Sequence, residues 1–394
     1  MLYDFLMLVF TLLCSLIIAH LLFIPLLNIL GLLMGQKKLN PINNANVDFG
    51  IVVTAYKDLE VCESLIASAI HIKQIPHHIY IVADQVPTSD LYKGLPKISI
   101  IFPVQPLNSK VKSIEYGMQA FLRPHNYTLV LDPDNVITEK TLQKMTTAIQ
   151  AGYEAVQAKR VAKNLDSNAA KLDALGEAFY NWCREIYFRL GGFVTLAGSG
   201  MAIKTSILKK MLNAPELIAK EGEVIAGEDK IFQSLLCDYG VVVAFVNDAL
   251  VLDEKIGDFK KMQRQRTRWL KANFDSKPKA TKLFLKGLFS FDMQKILLGY
   301  EEVKLPNSFL FISSFLFAGS SLFINYKLGI LIICSLFIFI GNFFLSAKLA
   351  GVSPKVFSAV AAFPQLVVAQ IGALFGMSKA KKDFLVTEKR KINI

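Results

Sequence analysis

The run from Phe5 to Met34 is almost unbroken in apolar side chains, and it is longer than the ~20 residues that cross a bilayer. Asp4 precedes it and Lys37-Lys38 follow, with neither a positive n-region nor a small-x-small cleavage site. Those flanks weigh against a cleaved signal peptide. By the positive-inside bias they leave the N-terminus outside and the chain after Lys38 in the cytosol. Towards the other end, Ser308–Ile324 and Leu328–Ser346 are two apolar spans separated by Asn325-Tyr326-Lys327, the pattern of a helical hairpin. Val352–Met377 is apolar too, but it carries Pro354, Pro364, Gln365 and Gln370, and a lysine-rich tail follows from Lys379 to Arg390. A full crossing there would leave that basic tail outside, so an in-plane or re-entrant segment and three crossings are expected. Between Thr281 and Tyr300 apolar residues alternate with Lys282, Lys286, Asp292 and Lys295, as in a helix lying in the membrane interface.

The expected organisation is an anchor over residues 1–38, a cytosolic domain over 39–275 and interfacial helices over 276–306. A transmembrane hairpin over 307–347, an in-plane or re-entrant helix over 348–378 and a cytosolic tail over 379–394 complete it. This is the layout of an integral protein of a plasma or inner membrane whose working domain faces the cytosol. The five cysteines are scattered, without a Cys-x-x-Cys pair, and read as reduced thiols. The five histidines show no ligand spacing. Lys and Arg outnumber Asp and Glu by 44 to 32, a net +12, which suits an anionic partner such as a membrane face or a phosphorylated substrate.

The middle of the chain alternates short apolar runs with helical periodicity. Strands are expected over Phe49–Ala55, Ile79–Ala83 and Ile98–Val104, and a fourth ends in Leu129-Val130-Leu131; helices are expected over Val61–Ile72, Lys110–Leu122 and Glu139–Ala151. That order argues for an α/β domain with a mostly parallel sheet. The fourth strand empties into Asp132-Pro133-Asp134-Asn135, the first into Tyr56-Lys57-Asp58, and the second into Asp84. Ligands of open α/β sheets collect at the carboxyl ends of strands, and two carboxylates there can hold a divalent cation on phosphate oxygens. Solvated acids in an Asx-type turn are the plainer explanation of any one of these. Downstream stand a small-residue loop, Gly198-Ser199-Gly200, and Gly227-Glu228-Asp229 opening a helical stretch that Gly240 closes. Glu228 or Asp229 alone would be explained by favourable charge at a helix start. The segment Gln263-Arg264-Gln265-Arg266-Thr267-Arg268-Trp269 reads either as a solvated basic helix face or as a phosphate-binding cluster beside an aromatic platform.

Taken in order, the acids Asp58, Asp84, Asp132, Asp134 and Asp229, then Gln265-x-x-Arg268-Trp269, make the chain resemble the membrane-bound family 2 glycosyltransferases. These include the cellulose, chitin and hyaluronan synthases and the ceramide glucosyltransferases. The resemblance covers roughly residues 51–270, and Phe384-Leu385-Val386-Thr387-Glu388-Lys389 is similar to the gating loop of cellulose synthases. It implies a GT-A-like nucleotide-sugar-binding domain flanked by transmembrane and interfacial helices. By the same resemblance, Tyr56 and Asp58 lie at the uridine of a UDP-sugar donor and Asp84 at its uracil or ribose. Lys110 lies near its phosphates, and Asp132 and Asp134 hold Mg²⁺ or Mn²⁺, with Asp134 as the metal ligand and Asp132 nearer the ribose. Asp229 is the implied catalytic base, Glu228 and Trp269 face the acceptor, Gln265 and Arg268 meet the pyrophosphate, and Thr387 and Lys389 close over the nucleotide. Lys57-Asp58 stands where the family usually has Asn-Glu, Glu115 where Asn is common, and Gly-Glu-Asp where Thr-Glu-Asp is usual.

The implied reaction is inverting, metal-dependent transfer of a hexosyl or N-acetylhexosaminyl group to a membrane-associated polysaccharide or glycan, with single transfer to a lipid as the alternative. A homo-oligomer is compatible with the sequence. A nucleic-acid binder lacks the interleaving of aromatic and basic residues such surfaces show. A catalytically dead scaffold would have no reason to keep all of these acids beside Gln265, Arg268 and Trp269.

Overall fold

The structure, a computed structural model, describes residues 1–217 and 227–377. In chain order its helices and strands are α1 (Leu2–Met34), β1 (Phe49–Tyr56), α2 (Glu63–Ala69), β2 (His77–Asp84), β3 (Ile98–Ile101), α3 (Lys110–Gln119), β4 (Tyr127–Leu131), α4 (Glu139–Gln150), β5 (Ala155–Ala162) and α5 (Asn168–Arg189). Then follow β6 (Met201–Lys204), α6 (Thr205–Leu212), α7 (Glu228–Asp238), β7 (Val243–Asp253), α8 (Phe259–Ser290), α9 (Met293–Val303), α10 (Asn307–Ile324), α11 (Tyr326–Leu349) and α12 (Phe363–Gly376). They fall into two units, one of residues 1–37, 178–192 and 280–353, the other built from described residues between 38 and 279 and from 354 onward.

The second unit is built on a seven-stranded sheet in the order β3-β2-β1-β4-β6-β5-β7. Strands β3, β2, β1 and β4 are mutually parallel, β6 runs antiparallel to both β4 and β5, and β5 is parallel to β7. Two reversals restore the direction, so every strand but β6 delivers its carboxyl end to one edge. Because β6 alone is reversed, the loop that enters it arrives at that same edge. The inner strands read as continuous apolar runs, as strands covered on both faces do. All five residues of β4 are buried, and each such Val or Leu contributes on the order of 1.5–3 kcal/mol relative to exposure. The strands expected at residues 49, 79, 98 and 129 are present as β1 to β4, and α3 and α4 start at the expected Lys110 and Glu139.

In the other unit α1 packs on α10 and α11 through Cys14, Ile17 and Leu21 against Leu310, Ala318, Ile332, Leu336 and Phe339. A polar notch interrupts this apolar contact. Asn28 Nδ2 donates to Asn342 Oδ1 at 2.5 Å and to Ser346 Oγ at 2.9 Å. Asn325 joins α10 to α11, and its side chain accepts from the Leu328 amide. The stretch Thr281–Tyr300, expected as one amphipathic helix, is divided. Helix α8 ends at Ser290, Phe291 takes a φ of 52°, and Asp292 caps α9 by accepting from the Gln294 and Lys295 amides. An N-cap aspartate satisfies amides that a continuing helix would have paired.

Among the described residues four helical segments are long and apolar enough to cross a membrane: Leu2–Met34, Asn307–Ile324, Tyr326–Leu349 and Pro354–Gly376. The last is a 3-10 stretch, Pro354–Ala362, followed by α12. It groups with the sheet-bearing unit, where Leu366 packs on Ala169, Ile256 and Met262. Gly372 lies so close to α8 that a Cβ there would sit 2.5 Å from Gln263 Nε2.

Candidate active site

Each acid at the shared edge is placed by the strand before it. At the end of β2, Asp84 is buried and takes two backbone amides, Leu107 N–H at 2.9 Å and Asn108 N–H at 2.8 Å. Asn108 itself has a φ of 49° and accepts from Tyr56 Oη at 3.4 Å and from Gln85 Nε2. Tyr56 and Asp84 are thus brought together, and Asp84 fixes the loop that leads into Lys110. Asp58, just past the end of β1, accepts the Glu60 amide on Oδ1 at 3.0 Å in a local turn.

Beyond β4 the chain is tied to the end of β7. Val136 and Leu252 exchange both backbone bonds, at 3.0 and 2.9 Å, and the Glu254 amide donates to Asp134 Oδ2 at 3.1 Å. Asp132, Asp134 and Asp253 therefore meet, with one ligand atom from each lying within 4.8 Å of the others. Asp134 and Asp253 are 1 % and 3 % exposed, a degree of burial that carboxylates reach only when paired or ligating. Asn135 braces the group. Its Oδ1 accepts from the Asp132 amide at 3.0 Å and from Ser199 Oγ, and its Nδ2 donates to Asp253 Oδ1 at 3.3 Å.

The loop entering β6 completes the edge. Gln233 accepts from the Leu196 amide, and Gln157 both accepts from the Ala197 amide and donates to the Ser199 carbonyl, each at 3.0 Å. Gly198, at φ 73°, then brings its carbonyl to Lys110 Nζ at 2.7 Å. A Cβ on Gly198 would lie 3.6 Å from Asp229 Oδ2 and 3.9 Å from Lys110 Nζ, so a side chain would fill this space. Lys110 Nζ also reaches Asp132 Oδ1 at 2.8 Å and Glu228 Oε1 at 3.5 Å. Glu228 and Asp229 occupy the first turn of α7, after Gly227 at φ 79°. Burial opposes the Lys110 charge, but Asp132 and Glu228 outweigh it and lift its pKa above the ordinary lysine range. Burial raises the Glu228 carboxyl; Lys110 pulls it down, Asp229 pushes it further up, and the balance lies above an ordinary glutamate.

Helix α8 carries the basic segment. Gln265 Oε1 is buried without a hydrogen-bond partner among the described residues, Arg268 is half-buried, and the Trp269 ring is exposed with the Arg266 guanidinium 4.7 Å from its centroid. The structure joins this segment to the acids through α5. Asp173 holds Arg266 at 2.5 Å, and Glu177, one turn on, holds Lys255 at 3.4 Å. Thr387 and Lys389 lie outside the described residues.

The family model described as "Glycosyltransferase like family 2" matches residues 46–272. The chain belongs to this family. Among solved structures, the glycosyltransferase is similar to the mannosyltransferase PcManGT from Pyrobaculum calidifontis, described in complex with GDP-Man and Mn²⁺. Identity is 12 %, coverage is 94 % of this chain and 99 % of that one, and the TM-score is 0.59. Residues 1–349 of S. aureus TarS match at 12 % identity over 85 % of this chain and 92 % of that one, with a TM-score of 0.42. No curated protein matches the chain.

Asp253 is the site residue that the motif order passes over. A signal for it does exist: Leu250-Val251-Leu252-Asp253 repeats Leu129-Val130-Leu131-Asp132 letter for letter. Both are apolar strand ends releasing an acid, and both reach the same edge because β4 and β7 point the same way.

Proposed function

We propose that this glycosyltransferase moves a sugar, with inversion, from a nucleoside-diphosphate sugar to a membrane-associated polysaccharide or glycan. The reading rests above all on Asp229, Lys110 and Asp132 gathered around the open space at Gly198, beside Asp134 and Asp253. Asp229 takes the proton of the attacking acceptor hydroxyl, a role for a carboxylate within reach of the reacting sugar. Direct attack of that hydroxyl from the side opposite the leaving diphosphate gives inversion at the anomeric carbon. Lys110 holds its positive charge against the diphosphate as that group leaves. Three hard oxygen donors at one sheet edge fit Mg²⁺ or Mn²⁺, and Asp132, Asp134 and Asp253 would hold it. Such an ion neutralises charge on the departing diphosphate.

The resemblance to polysaccharide and ceramide glycosyltransferases favours UDP as the carrier. The fold-related mannosyltransferase bound to GDP-Man makes GDP-sugars the second class to test. Transfer of a single sugar to a lipid is the second reading, favoured by the small number of membrane-length helices among the described residues. Placement of Pro354–Gly376 with the sheet-bearing unit supports three crossings and an in-plane segment, and Lys37-Lys38 after the first helix favours a cytosolic sheet.

The deciding experiment incubates the full chain in native-like membranes with UDP-glucose, UDP-N-acetylglucosamine, UDP-galactose, UDP-glucuronate and GDP-mannose. Nucleotide release and product length are followed with and without EDTA. One donor should be consumed only while a divalent cation is present. Release from no donor, or release indifferent to EDTA, would sink the reading.

A further inference from the structure

Asp253 holds two cations against one of its oxygens, where Asp132 of the same group holds Lys110 at 2.8 Å. Asp253 Oδ2 receives Lys255 Nζ at 2.9 Å and also binds Arg160 Nη2. Both cations are built in. The Lys255 side chain is 1 % exposed and is held from behind by Glu177, while Arg160 Nη1 is fixed to the Ala197 carbonyl at 2.5 Å. The strands dictate the arrangement, since Arg160 lies opposite Val251 and Ala162 opposite Asp253 in the β5–β7 ladder. The three groups form a buried ion-pair network in which the carboxylate faces two cations. A dication approaching the group therefore meets, besides the Lys110–Asp132 pair, a carboxylate whose charge is shared by two fixed positive groups. Those groups repel it until further negative charge arrives, and a nucleoside diphosphate brings that charge.

We propose that Arg160 and Lys255 are positioning residues that hold Asp253 under resident positive charge and thereby make divalent-cation binding depend on the donor's diphosphate. This rests on the metal reading given above. The two cations keep the metal-free site ordered, and they bias the cation to enter together with the donor rather than before it.

The test is Mn²⁺ binding to the purified full chain, read by electron paramagnetic resonance with and without UDP, so that no turnover is needed. In the unaltered protein UDP should tighten Mn²⁺ binding about tenfold or more, within the usual range of coupling between ligands. Lys255→Gln and Arg160→Gln should each tighten UDP-free Mn²⁺ binding about tenfold and shrink the effect of UDP, while Lys255→Arg should behave as the unaltered protein. Adding Asp253→Asn to Lys255→Gln should cancel the gain. The proposal falls if UDP leaves Mn²⁺ affinity of the unaltered protein unchanged. It also falls if either glutamine variant, monodisperse by size exclusion, binds UDP-free Mn²⁺ no more tightly. Failure of Mn²⁺ to bind even with UDP overturns the underlying metal reading instead.

Discussion

Asp229 shows how much a single position in the chain can carry. It sits in the first turn of α7, and the absence of a side chain at Gly198 leaves the space in front of it open. Replacing it with Asn removes the proton acceptor but preserves shape. Turnover should fall about 10²–10⁴-fold, the usual contribution of a general base, while the donor KM stays within about threefold. Retention of near-wild-type turnover in steady-state kinetics would remove Asp229 from the chemistry. Gly198→Ala tests the same space from the other side. The side chain meets both the φ of 73° and the Asp229 carboxylate, so turnover should drop about tenfold or more while the fold persists. Near-normal rates would show that nothing needs to pass there.

Among the elements, the loop from β3 to α3 is held by Asp84, which gives it a second function beside the one its family resemblance implies. Its two oxygens satisfy two backbone amides directly before Lys110. Asp84→Asn turns one of those acceptors into a donor, and stranding a buried amide costs about 1–3 kcal/mol. Hydrogen exchange of residues 107–110 should speed up and kcat should fall along with donor affinity. Exchange that stays slow would leave Asp84 as a nucleotide contact alone.

The opposite end of β2 carries a pH dependence. Burial, with Arg123 and His125 assisting, lowers the His78 pKa to about 4, and burial also lowers those of His77 and His125. The His78 ring stays neutral in the folded state down to about 4 while an unfolded chain protonates it below about 6.5. Stability is therefore complete above that value and is lost as the pH falls from about 6.5 towards 4. Melting curves in detergent should show that decline, and His78→Gln should flatten it. A slope that His78→Gln leaves unchanged would assign the acid sensitivity to other groups.

For the whole molecule the prediction concerns sidedness. With three crossings and the helix Pro354–Gly376 in plane, an epitope at Met1 should be reached from outside intact cells. Epitopes placed after Lys38 and at Ile394 should be reached only after permeabilisation. An externally accessible Ile394 would make the last apolar segment a fourth crossing. Within the membrane-length unit, Asn28→Leu should loosen α1 from α11 by about 1 kcal/mol, the scale of interhelical hydrogen bonds in bilayers. A thermal-melting series in detergent would register the change.

The apolar helices, the first four strands and the edge acids Asp84, Asp132 and Asp134 are legible in the amino-acid sequence, because periodicity and strand-ending acids are local signals. The sequence also carried the order of motifs that identifies the family. Asp253 joins Asp132 and Asp134 only in the folded chain, since that meeting depends on β6 reversing between β4 and β5 and on the Val136–Leu252 bridge. Folding likewise separates α8 from α9, ties Asp84 to a loop, and sets Arg160 and Lys255 against Asp253. Arg160 and Asp253, 93 residues apart, become partners only when a sheet fixes their register, and no window along the chain contains that information.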